Sequence, residues 1–200
     1  MRQRVVGGRV LVAGGGLEET TVEVEDGRVV GVGGSGGGAA EIDVAGALVL
    51  PGIVDFHGDA FERQVMPRPG VRVPMDIALL DTDAQLAAAG ITTAFHGITC
   101  SWEPGLRSVA TMRELFDGFA RLATSFMVDH RVHLRYEADN LDAVDEVAEG
   151  IAAGRIHLLA LNDHTPAIAS RLDRPDALAK YTDRAGVSGC LLYTSDAADE

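Results

Sequence analysis

Lysine is almost missing from this chain: of its 17 basic residues only Lys180 is a lysine, and the rest are arginines. Any basic patch is therefore built from guanidinium groups, which grip phosphate oxygens in two-pronged pairs. Basic charge as a whole is also scarce, since 30 acidic residues leave a formal net charge of −13. That balance excludes a nucleic-acid partner, because such binding depends on Lys and Arg displacing counterions from the phosphate backbone. A small anionic substrate would have to meet a local cluster of arginines. Cysteine is limited to Cys100 and Cys190, which make neither a disulfide framework nor a metal-binding CxxC pair; a reducing, cytoplasmic compartment is expected. No apolar run approaches the ~20 residues of a membrane span. The opening MRQRVVGGRVLVAGGG is broken by glycines and Arg9 where a signal peptide needs an uninterrupted apolar core. No membrane partner is expected.

What is present is enough apolar sequence, 46% of 200 residues, for a sizeable core. Residues 1–48 read as β-structure, with Asp26-Gly27 between two valine-rich runs as a hairpin signal. This segment is expected to be an incomplete β-sandwich. The GGSGGG that follows is read as a turn, since no Lys-Ser/Thr and no helix pattern succeed it. From residue 49 to 189 short apolar runs alternate with helical patterns four times, which implies a parallel sheet covered by helices. A closed eight-stranded barrel takes about 250 residues, so the fold class expected is α/β, the first half of a (β/α) barrel after a small β-sandwich segment. Residues 190–200, CLLYTSDAADE, depart from the texture of the rest and resemble a translated sequencing adapter. They are expected to be a scar, and the chain by itself is expected to be inactive.

Polar chemistry concentrates at the ends of the predicted strands, where barrel folds gather their active sites. VLPGIVDFHGDAFERQVMPRPGV runs from an apolar strand, expected to be buried, straight into His57 and Asp59. Their alternate spacing sets both on one side of an extended segment. The next ends offer His96, then Glu137, then Asp163 with His164. His57, Asp59, Glu137 and His164 are the candidate metal ligands, with Asp163 structural or supporting. The donor types suit Zn or Mn, with two ions expected. A two-ion centre needs an anionic bridge; Lys180 falls in a helical pattern past the fourth strand, which leaves Glu137. His96, His130, His133 and His157 are read as hydrogen-bonded structural residues. Pro67, Pro69 and Pro74 stiffen the loop carrying Arg63, Arg68 and Arg72, while Gly70 permits a bend. Arg63, Arg68 and Arg135 are the candidate substrate-binding residues. Arg68 and Arg72 alternatively pair with surface carboxylates.

LPGIVDFHGD, ERQVMPRPGV, AGITTAFHGIT, HLRYE and NDHTP, in that order, resemble the diphosphatase family of the amidohydrolase superfamily that acts in phosphonate degradation. The resemblance implies a metal-dependent (β/α) barrel beside a β-sandwich made by both chain ends. It implies hydrolysis of a sugar 5-triphosphate with release of pyrophosphate, His57, Asp59, Glu137 and His164 at the metal positions, and Arg68 on the signature loop. It places a proton-accepting Asp after a later strand, beyond this chain. Gly58 stands where the family commonly has Thr, and DHTPAI replaces DHxPGQ. Two other readings remain open: an amidohydrolase acting on a cyclic amide or amine, and a metal-free scaffold. A small phosphorylated substrate is the expected partner, and self-association into a homo-oligomer is compatible with the sequence.

Overall fold

The computed structural model describes residues 1–34, 37, 39–164, 166, 170, 179, 182 and 183. Lys180 and the segment 190–200 lie outside the described residues, as does the last helical pattern apart from single positions. The chain divides into two compact units, Met1–Gly52 and Ile53–Glu200.

The first unit is one sheet of β1 (Arg2–Leu11), β2 (Leu17–Glu25), β3 (Arg28–Val32), β4 (Ala40–Asp43) and β5 (Leu48–Val49), ordered β3-β2-β1-β4 with β5 also on β1. The β2–β3 hairpin turns on Asp26 and Gly27, with φ of 48° and 76°, and pairs Glu25 with Arg28. Positive φ at both loop positions matches the right-handed twist of the strands, which is why Asp-Gly forms this turn. GGSGGG begins at Gly33, whose N–H bonds the Thr21 carbonyl; residues 35, 36 and 38 are not described.

The second unit contains β6 (Ile53–Gly58), α1 (Ala60–Val65), α2 (Met75–Ala88), β7 (Ile91–Cys100), α3 (Val109–Leu122), β8 (Asp129–Glu137), α4 (Val144–Ala152) and β9 (Leu158–Asn162). Its four strands run parallel in the order β6-β7-β8-β9. Alternation decides which side each residue faces. Ile98 and Cys100 of β7 and Val132, Leu134 and Tyr136 of β8 enter a core with Leu79 of α2, Met112, Leu115 and Phe116 of α3 and Val147 of α4. The intervening residues face the other way. Ser108 caps α3 by accepting from the Thr111 N–H at 3.1 Å. Gly118 lets α3 press on α2, since a Cβ there would stand 2.6 Å from Leu79 Cδ1. Cys100, buried beside Asn140, has its thiol pushed up to about 11 by burial and by Glu146. No described helix is long and apolar enough to cross a membrane.

The structure corrects the reading of VLPGIVDFH as one buried strand. Leu48 and Val49 pair with β1, whereas Ile53 opens the parallel sheet. The break falls at Pro51, which has no N–H to give a ladder. As an edge strand, β6 is not buried either: Phe56 is 63% exposed, and Ile53 and Val54 are exposed too.

Candidate functional site

The side of the second unit's sheet opposite the described helices' core holds most of the predicted polar residues. A register shift between Asp55 and Gly58 inserts an extra residue into β6 opposite β7. Such a bulge re-aims neighbouring side chains. Phe56 consequently stacks on Phe95 at 5.3 Å, and His57 reaches His133 of β8, Nδ1 to Nδ1 at 3.2 Å. His133 Nδ1 also lies 3.1 Å from the Phe56 carbonyl oxygen. Between these strands Gly97 of β7 leaves open floor: a Cβ there would meet His57 Cε1 at 3.2 Å and Arg135 Cδ at 3.6 Å.

Further along, Glu137 ends β8 and accepts twice from His164, from its backbone N–H at 3.0 Å and at its Nδ1 at 2.6 Å. The carboxylate is buried while the imidazole is about half exposed. A proton on Nδ1 facing Glu137 leaves Nε2 as the available lone pair, which is how carboxylates orient metal-binding imidazoles. Asp59 is exposed and stands at the N-terminus of α1 without a side-chain capping bond. The four predicted ligands thus form no single cluster. His57 is level with His133, four residues before Glu137 on β8, or roughly 13 Å at the rise of a strand. Among the described residues no three His, Cys, Asp or Glu side chains converge as a metal site. The donor chemistry nonetheless fits a divalent cation: imidazoles and the Glu137 carboxylate on one side of one sheet, with the His164 imidazole already oriented by that carboxylate.

Arg63 and Arg68 are exposed and make no ion pair among the described residues; Arg135 makes none either. Arg72 instead pairs with Glu114 at 2.7 Å, the alternative left open for it. The predicted bend is present, with the Val71 N–H bonded to the Arg68 carbonyl and Gly70 at φ 73°. Glu62 of α1 takes both arms of Arg107 at 3.1 and 3.2 Å, tying the start of this loop to the segment after β7.

Sequence reasoning missed His133. The signal was there in HLRYE: His133, Arg135 and Glu137 alternate, so they share a face of one strand. His96 and His130 point to the helix side and form a buried chain with Asp83 of α2. His157 Nδ1 accepts from the Val132 N–H at 3.1 Å.

No protein-family model matches the chain. It is similar to alpha-D-ribose 1-methylphosphonate 5-triphosphate diphosphatase of Escherichia coli K12, 25% identical over 128 residues, which is 62% of this chain and 34% of that enzyme. Among solved structures, N-acetylglucosamine-6-phosphate deacetylase from Pasteurella multocida superposes with a TM-score of 0.53 at 14% identity, covering 88% of this chain and 49% of that one. The formyltransferase/hydrolase complex of Methylorubrum extorquens gives 0.52 at 22% identity, over 85% and 34%. The chain therefore spans about a third to a half of the length of these relatives. In its parallel strand-helix order and in these likenesses it has the (β/α)-barrel fold of these structures, present as a half-barrel sheet, and it is similar in sequence to the ribose 1-methylphosphonate 5-triphosphate diphosphatase.

Proposed function

We propose that this chain carries the first part of a metal-dependent hydrolase that releases pyrophosphate from ribose 1-methylphosphonate 5-triphosphate in phosphonate breakdown. The observation that carries the reading is the Glu137–His164 pair at the end of β8, with Arg135 on the same face two residues before it. His57, Asp59, Glu137 and His164 would hold the divalent cations, Zn or Mn. The cations supply an acidified water and neutralise phosphate oxygens. The chain's own contribution is electrostatic and positional. Glu137 fixes the His164 ring and sets its tautomer, and the guanidiniums of Arg63, Arg68 and Arg135, which make no ion pair among the described residues, would meet the triphosphate. With a net charge of −13, the protein as a whole would repel such a substrate, which these arginines would have to offset locally. The single described thiol, Cys100, is buried and free, which suits a reducing cytoplasm.

The test is cation uptake by equilibrium dialysis together with product analysis on the protein from its longest reading frame. Stoichiometric Zn or Mn, pyrophosphate as product, and loss of both in Glu137→Gln are expected. Ammonia with a ring-opened product instead would assign cyclic-amide or amine chemistry. Absence of any bound cation would leave a scaffold.

A further inference from the structure

Neighbouring strands lie 4.7–4.9 Å apart, so side chains on β6 and β8, with β7 between them, start roughly 10 Å from each other. His57 and His133 nevertheless touch, their rings edge to face at 4.9 Å between centroids. The contact passes over β7 at Gly97, which is paired with His133 in the ladder. Gly97 does not have the positive φ that would call for glycine. A glycine inside a strand weakens it, and where the backbone does not require one it marks a close approach. Here the approaching groups are the His57 ring, whose Cε1 and Nε2 would lie 3.2 and 3.4 Å from an added Cβ, and the Arg135 stem.

The partner atoms then select a tautomer. A carbonyl only accepts, so with the Phe56 oxygen 3.1 Å away the proton belongs on His133 Nδ1. His57 meets that proton with a bare Nδ1 at 3.2 Å and keeps its own on Nε2.

We propose that Gly97 and His133 are positioning residues for His57: Gly97 supplies the room for the ring to cross β7, and His133 fixes its orientation and tautomer. The inference rests on the metal-ligand reading of His57 for its functional meaning, though not for its geometry. It also explains why Arg135 and His57 share one patch of floor, since the same missing side chain admits both.

Two-bond 1H–15N spectra of the imidazoles decide it on the full metal-free chain, above the imidazole titration range. His57 is expected as a single Nε2–H tautomer. His133→Phe, which keeps bulk and removes the donor, should return the His57 ring to the averaged pattern of free imidazole. His133→Asn, whose amide still donates, should restore the single tautomer. Gly97→Val should act like His133→Phe, with Gly97→Ala between it and the parent should the valine variant fail to fold. A His57 spectrum unmoved by both His133→Phe and Gly97→Ala overturns the proposal. In parallel, a His57 ring whose Nδ1 accepts from His133 and whose Nε2 carries the proton has no lone pair to spare, so zinc must displace that arrangement. Zinc affinity should therefore rise in His133→Phe and fall back in His133→Asn. Spectra that respond as expected in a chain that takes up no zinc would uphold the positioning and refute the metal reading of His57 separately.

Discussion

β6, β7 and β8 carry two histidine pairs on opposite sides of one sheet, His96–His130 on β7 and β8 and His57–His133 on β6 and β8, and their opposite fates show how little residue type alone decides. On the helix side His96 Nε2 meets His130 Nδ1 at 2.7 Å, and His130 Nε2 meets Asp83 at 3.0 Å. Asp83 also accepts the Met127 and Val128 backbone N–H groups. Phe61 and Phe119 pack against the His96 ring, and Phe119 and Phe126 against that of His130. Burial, reinforced by the neighbouring His130, pushes His96 down to about 3. His130 is also lowered, burial outweighing the pull of Asp83. Burial would raise Asp83, but the Met127, Val128 and His130 bonds hold it below the usual carboxylate range. That pair is neutral and closed. On the other side His57 is exposed, and its partner His133 shares a strand face with Arg135 and Glu137. The buried pair joins helix to sheet, whereas the open pair has capacity left for a ligand.

The comparison breaks most visibly at Asp83. Asp83→Ala strands the His130 ring and two backbone donors in the core, and should cost about 3 kcal/mol or more in urea unfolding. A smaller effect comes from acid. Because His96 is depressed in the fold, its contribution is complete above the ordinary imidazole value of 6.5 and drains away as pH falls toward about 3. Asp83 adds a further loss only below its ordinary 3.8. Urea midpoints should therefore decline from pH 6.5 downward, and His96→Phe should flatten that decline. Smallest of all, His57→Ala should leave stability within about 0.5 kcal/mol. A loss comparable to that of Asp83→Ala would mean that the open pair is structural after all.

Much of this organisation was legible in the sequence. Alternation of apolar runs with 3.6-residue patterns gave the parallel sheet, and strand ends gave Glu137 and His164 as neighbours across β8 and β9. Asp26-Gly27 gave its hairpin because few residue pairs tolerate that turn. Three features resisted. The exposure of β6 depends on which strand sits at the edge, and that is a property of sheet order rather than of the run itself. Asp83 sits in an ordinary helical pattern, so nothing local marks it as the anchor of two histidines. The meeting of His57 with His133 depends on a bulge and on a side chain that is missing at Gly97, and periodicity records only the side chains that are present. The Arg loop was half legible: its stiffness and bend follow from Pro and Gly, but the capture of Arg72 by Glu114 is tertiary.

Gly97 also puts selection for stability and selection for binding in conflict. Mid-strand glycine has poor β propensity, and a valine there would suit the strand while filling the floor beneath His57 and Arg135. Any process that rewards stability alone, whether directed evolution on thermal tolerance or sequence redesign on a fixed backbone, would be drawn to replace this residue early. The product would be a sturdier protein with a blinded site.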